Sequence, residues 1–164
     1  MARRDAIGPV TLTVLDRLID VAPKNSAEAP PTRAQSLREL RLAMKRDLEW
    51  LLNTRRTIEP AEESARETVR SLYHYGFADV SSKSVLSTRD HGDLVREMES
   101  AIAVFEPRLK RARVRMELVE GSYRSLKFVI EGLLCMDPAP EPIRFDTVLE
   151  LGKCEYEVKG ADLA

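Results

Sequence analysis

The run Phe105-Glu106-Pro107-Arg108-Leu109 sets a carboxylate and a guanidinium on either side of a proline, between two apolar residues. Proline fixes its own φ and restricts the residue before it, so the acid and the base leave the backbone in defined directions. A carboxylate and an arginine fork held this way suit paired, charge-assisted hydrogen bonds. Such a corner can staple its own domain or present its charges to a partner. Local ion pairs are common, so the residue types by themselves favour the staple.

Other candidate chemistry is thin. His74 and His91 are the only histidines, and neither has a second ligand at helical or hairpin spacing. The seven glycines form no phosphate-binding loop, and no GxSxG elbow occurs. Glycoside hydrolysis needs two carboxylates roughly 5–9.5 Å apart, one with a raised pKa. With 27 acidic residues some pair always qualifies by chance. Glu49 beside Trp50 resembles an acid near an apolar ring, but its helical phase sets it next to the polar stripe while Leu48 and Leu51 face inward. It reads as a solvated helix residue. No catalytic, metal-binding or cofactor-binding residue is assigned.

Lys110, Arg111, Arg113 and Arg115 form the densest basic patch, on one face of an expected strand. A single-stranded nucleic-acid platform would interleave aromatics, and this strand has none. The patch reads as a solvated sheet face paired with acids on the next strand, or as a docking face for an acidic protein. Twenty-six basic residues nearly balance the acids, for a net charge of -1, so no global field favours nucleic acid.

These groups must be positioned by ordered elements. Leu12, Val14, Leu15, Leu18 and Ile19 mark a short amphipathic piece, strand or helical turn. Val21–Pro31, with three prolines, reads as a loop. Leu37, Leu40, Met44, Leu48 and Leu51 form one helical stripe running to about Asn53. Its start is signalled by a capping box at Thr32/Gln35 or at Ser36/Glu39. A second helix is expected from Pro60, with Ala65, Val69, Leu72 and Tyr73 inward and Gly76 as its stop. A third runs from Asp90 or His91 to Phe105, ended by Pro107, with Leu94, Val95, Met98, Ala101 and Ile102 buried. The period then changes to two. Ala112, Val114, Met116 and Leu118 mark one strand, and Leu126, Phe128 and Ile130 a second. Ile143, Phe145, Thr147 and Leu149 mark a third, and Cys154, Tyr156 and Val158 a short fourth. Glu120-Gly121-Ser122 is the first turn.

The chain is therefore expected to be α+β, with N-terminal helices packed on a small antiparallel sheet of three to four strands. Residues 1–33 form an N-terminal segment and proline-rich loop, 34–158 one domain, and 159–164 a tail. At 164 residues, 43% apolar and 32% charged, it can bury a core. No apolar run is long enough to span a membrane, and the first residues lack a signal-peptide core. A cytoplasmic protein is expected, with Cys135 and Cys154 as free thiols.

Several ordered blocks carry a family resemblance. Leu15-Asp16-Arg17-Leu18, the run from Arg46 to Arg56, the run from Ser71 to Asp79, Glu106-Pro107-Arg108 and Phe145-Asp146-Thr147 together resemble the phage baseplate-wedge family often labelled lysozyme-like. They resemble specifically its type VI secretion branch, the TssE proteins. The resemblance implies a structural, non-enzymatic subunit of a contractile machine. It implies that Glu106, Pro107 and Arg108 bind other wedge subunits (TssF, TssG, TssK) and that the small sheet anchors sheath subunits (TssB, TssC). It implies no cofactor, no nucleic acid and no membrane insertion. The alternatives are a peptidoglycan hydrolase, as the family label suggests, and a nucleic-acid-binding domain using the basic strand.

Overall fold

Capped helices followed by a four-strand meander emerge from these patterns. The computed structural model describes residues 10, 12–19, 23–24, 31–59, 64–69, 71–79, 87–118 and 125–162. Helix α1 is a single turn, Val14–Leu18, capped by Thr13. Helix α2 spans Arg33–Asn53. Of the two candidate capping boxes the chain uses Thr32/Gln35: Gln35 N donates to Thr32 Oγ1 at 3.3 Å, and Thr32 N donates to Gln35 Oε1 at 2.8 Å. Ser36 is buried inside the first turn, where its hydroxyl donates to Thr32 O at 3.2 Å. The apolar stripe lies inward as its spacing requires, with Leu40, Met44, Leu48 and Leu51 all buried.

The expected second helix is not one helix. The chain forms α3 at Arg66–Val69 and a separate 3₁₀ turn at Leu72–His74. Leu72 is 84% exposed and Tyr73 40%, so the anticipated stripe does not face the core there. Ser71 is the cause. Its hydroxyl donates to Thr68 O at 2.8 Å and accepts from Tyr73 N at 3.2 Å, closing one turn and capping the next. Pro60, Glu62, Glu63 and the turn Glu120-Gly121-Ser122 lie outside the described residues. Gly76 does take positive φ, 113°, but not to end a long helix. It lets Phe77 exchange backbone bonds with the end of α2: Phe77 N to Thr54 O at 2.8 Å, and Arg56 N to Phe77 O at 2.9 Å.

Helix α4 spans Thr88–Phe105 and starts slightly earlier than expected, because the Ser87 hydroxyl accepts Asp90 N. It stops at Glu106, immediately before Pro107. Strands β1 (Leu109–Leu118), β2 (Ser125–Leu134), β3 (Glu141–Glu150) and β4 (Glu155–Asp162) form one antiparallel sheet in sequence order. Helix α4 lies over β1 and α2 over β4. Leu126, Phe128, Ile130, Ile143, Phe145, Leu149, Tyr156 and Val158 face these helices and complete the core. At about 25 cal/mol per Å² of apolar surface, each such side chain contributes on the order of 2 kcal/mol.

Strand β1 departs from simple alternation. Lys110 pairs with Leu133 and Arg113 with Glu131, so Arg111 and Ala112 together oppose Gly132. Arg111 adopts φ 54°, which marks the bulge. The bulge lets both Leu109 and Val114, five residues apart, reach the core. Gly132 is required opposite it, since a Cβ there would sit 2.7 Å from Leu109 Cδ1. On the outer face Lys127 bridges Glu117 at 3.2 Å and Asp146 at 3.1 Å, and Arg115 pairs with Glu131.

A Cβ at position 76 would stand 2.3 Å from Thr54 O, at a φ that side chains resist. Gly76→Ala should therefore destabilise the fold by roughly 2 kcal/mol or more, read as a lower midpoint in urea unfolding with an unchanged slope.

Candidate functional site

Glu106, Pro107 and Arg108 form the corner between α4 and β1. Glu106 N donates to Ile102 O at 2.9 Å, ending α4, and Leu109 N donates back to Glu106 O at 3.1 Å. Arg108 O accepts Cys135 N at 2.8 Å, fixing the corner to the end of β2. The flanking apolar residues act as anchors: Leu109 is buried, and Phe105 meets Tyr75 edge to face at 5.3 Å between centroids. Pro107 is exposed.

Glu106 is only 4% exposed, and Arg108 neutralises it with a two-pronged contact: Nε to Oε1 at 2.6 Å and Nη2 to Oε2 at 2.5 Å. The same Nη2 donates to Asp47 Oδ2 on α2 at 2.6 Å. Asp47 Oδ1 in turn accepts Arg46 Nε at 3.0 Å and Nη2 at 2.8 Å. Arg46 Nη1 reaches Asp16 Oδ1 on α1 at 2.8 Å. The Thr13 hydroxyl donates to the other Asp16 oxygen. Charges thus alternate through Asp16, Arg46, Asp47, Arg108 and Glu106, joining α1, α2 and the exit of α4. Arg46 also lies over the Trp50 ring, 4.8 Å from its centroid.

The electrostatics follow the contacts. Hydrogen bonding to Glu106, opposed by burial and reinforced by Asp47, holds Arg108 still more firmly charged than a free guanidinium. Burial works to raise the Asp16 carboxyl, but the Thr13 hydroxyl and the Arg46 guanidinium outweigh it and hold Asp16 below its ordinary value. Burial, with Asp47 and Glu106 nearby, pushes the Tyr75 hydroxyl up. These are fixed, mutually neutralised charges. Arg108 Nη1 remains buried and without a partner among the described residues.

Residues 38–139 match the family model for baseplate wedge protein gp25, a stretch covering most of α2, all of α4, the corner, β1 and β2. The chain belongs to that family. No curated protein matches it. The gp25 match includes Asp47, Glu106 and Arg108, while Asp16 lies before it. Among the described residues no helix is long and apolar enough to cross a membrane, and no three potential ligands gather to hold a metal.

The other sequence candidates fall elsewhere. Glu49 is not the solvated residue expected: its Oε1 accepts Val158 N at 3.0 Å, at the edge of β4. Arg113 and Arg115 project outward, 80% and 64% exposed, within reach of Glu99 and Glu131, whereas Arg111 leaves their row at the bulge. Cys135 is exposed, Cys154 half-buried, and both are free. Sequence reasoning gave no role to Asp47, Arg46 or Asp16. The available signal was an Arg-Asp pair directly before buried Leu48, on the border of the apolar stripe.

Because Asp16 is depressed in the folded chain, its contribution is present above its ordinary value of 3.8 and lost as pH falls through the folded value. Thermal melts at about pH 7 and about pH 3 test this linkage. Asp16→Asn should lower the midpoint at neutral pH, and its deficit against wild type should shrink in acid.

Proposed function

We propose that this chain is a structural subunit of the baseplate wedge of a type VI secretion machine. In this reading it works in the cytoplasm, without catalysis and without a cofactor. The Glu106-Pro107-Arg108 corner docks to the other wedge subunits, TssF, TssG and TssK, and the sheet anchors the sheath subunits TssB and TssC.

The observation that carries the reading is the corner itself, in a chain of the gp25 family. Five charges from three elements are spent on holding one proline-fixed turn in place, with an exposed Pro107 at its tip and one guanidinium nitrogen left over. A rigid, pre-ordered turn loses little freedom when a partner binds, which suits a subunit that must engage in one geometry. The blocks resembling the type VI branch include both Asp16 and Asp47, the acids that complete the network. Repetition of such contacts around a ring would add affinity through multivalency.

A non-catalytic role is supported by how the nearby carboxylates are used. Asp47 and Glu106 bind Arg108, and Glu49 binds a backbone N–H. Each of the three is spent on a contact that holds the fold, as a structural role requires.

The test is a pull-down from the native cytoplasm with mass spectrometry of recovered proteins. Wild type should recover wedge and sheath subunits. Arg108→Ala, kept at a temperature where circular dichroism shows it folded, should recover at least about tenfold less, as loss of one charge-assisted contact implies. Pro107→Ser, which leaves both ion pairs intact, should weaken recovery without lowering the melting midpoint appreciably. Failure of wild type to recover any baseplate or sheath protein would overturn the reading.

A further inference from the structure

Just past the end of α2 the chain borders a pocket. Among the described residues, Arg55, Arg56 and Ile58 line one side, and His74, Ala78 and Asp79 the other, around a cavity of about 500 Å³. The two sides are clamped by main-chain bonds. Phe77 N donates to Thr54 O at 2.8 Å, and Arg56 N donates to Phe77 O at 2.9 Å. Gly76, with φ 113°, allows the second side to approach the first this closely. From behind, Arg56 Nη2 donates to Glu97 Oε1 on α4 at 2.6 Å. The pocket is therefore pre-formed, with a volume in the range of ordinary ligand sites.

Two kinds of group beside it have no use inside the fold. The first is apolar. Ile58 is 91% exposed and Leu72, two residues before His74, is 84% exposed, the two highest values among the described large apolar residues. Tyr73 stands edge-on to His74, with 5.3 Å between ring centroids. A single exposed apolar side chain needs no explanation, but the two most exposed ones beside one pocket do. The second is cationic. Arg55 is 68% exposed, and its charged neighbour, Asp79, keeps Oδ2 3.4 Å from Nη2. That is longer than the roughly 2.7–3.2 Å of a good hydrogen bond. Arg108, by contrast, holds Asp47 at 2.6 Å. The Arg55 fork thus keeps most of its donors for something outside the chain.

We propose that this pocket docks an acidic, apolar segment of a partner protein, with an aliphatic side chain set against Ile58 and Ala78 and a neighbouring carboxylate on the Arg55 fork. Charge selects the acid. Arg55 and Arg56 outnumber Asp79 around the pocket, and an incoming carboxylate can take two parallel bonds from a guanidinium that Asp79 meets only loosely. The apolar groups select a protein segment. A free anion or a phosphate chain would gain nothing from Ile58 or Leu72, whereas a peptide carries a carboxylate and an aliphatic group on adjacent residues. Arg55 lies eight residues beyond Asp47, so the pocket and the Glu106-Pro107-Arg108 corner are distinct surfaces. Occupancy of the pocket does not depend on the wedge role.

The experiment follows backbone amide shifts of the isotope-labelled full chain during titration with a blocked hexapeptide of alternating glutamate and leucine. The comparison probes are the lysine–leucine and glutamate–serine counterparts and inorganic phosphate. The glutamate–leucine peptide should give saturable shifts centred on the Ile58 and Ala78 amides. Each comparison probe should bind about tenfold more weakly or less, as loss of a charge-assisted contact or of a buried aliphatic side chain implies. Arg55→Ala and Ile58→Ser, both changes of exposed side chains, should each weaken the peptide about tenfold with an unchanged melting midpoint. Pro107→Ser should leave its binding unchanged. Absence of a saturable shift at these amides, or equal binding of the lysine–leucine peptide, would overturn the site. Equal shifts from phosphate or from the glutamate–serine peptide would mark an anion site and overturn the assignment to a protein segment. Binding that persists in both Arg55→Ala and Ile58→Ser, or that is lost in Pro107→Ser, would place the peptide elsewhere and overturn the assignment to this pocket.

Discussion

Arg108 is the residue around which the described structure is organised. One guanidinium neutralises Glu106 at the end of α4 and Asp47 in the middle of α2, and its backbone carbonyl holds the end of β2. Glu106 has almost no access to solvent. A carboxylate so placed is stable only with its partner, because the desolvation cost of a buried charge is several kcal/mol. Helices α2 and α4 both cover the sheet, and the corner fixes where α4 ends relative to α2. Phe105 and Leu109 then secure the turn on its two sides, one against Tyr75 and the other over Gly132.

The same helix serves two ends of the molecule. Arg46 and Asp47 face the corner, and Glu49 and Asn53, within the next two turns, face the edge of β4. Helix α2 is buried along Leu40, Met44, Leu48 and Leu51 between these polar sides, so it is clamped by polar contacts on both flanks of its apolar stripe. The arrangement is costly in conformational freedom, since several long side chains are fixed. It suits a subunit whose surfaces must be in register before partners meet them. In the proposed wedge role, rigidity of this kind has a direct use, because the subunit would hold its neighbours in fixed positions.

Much of this was legible in the sequence because it depends on local rules. The stripe from Leu40 to Leu51, the stop at Pro107 and the period-two runs of β2 and β3 each follow from spacing alone, whereas spacing left the capping box open between Thr32/Gln35 and Ser36/Glu39. The α+β class followed from their order. What escaped was decided by contacts distant along the chain or by competing local bonds. The Asp47–Arg108 pair joins residues 61 positions apart, and the Glu49–Val158 bond joins residues 109 apart. Periodicity carries no information about either. Ser71 broke an apolar pattern that otherwise reads as helix, and Arg111 left its expected row because a bulge was needed to bring Leu109 and Val114 to the same side. The rigidity of the corner follows from Pro107, but the acids that complete it, Asp16 and Asp47, show in the sequence only as members of the blocks that resemble the wedge family.

The central claim is that Arg108 and Asp47 are coupled across the fold, not merely adjacent. A double-mutant cycle in urea, with Asp47→Ala, Arg108→Ala and the pair, measures this directly. The account predicts a coupling of about 0.5–3 kcal/mol, the range for residues sharing one ion-pair network. Additivity of the two single changes within about 0.3–0.5 kcal/mol would contradict it, because that is how independent sites behave.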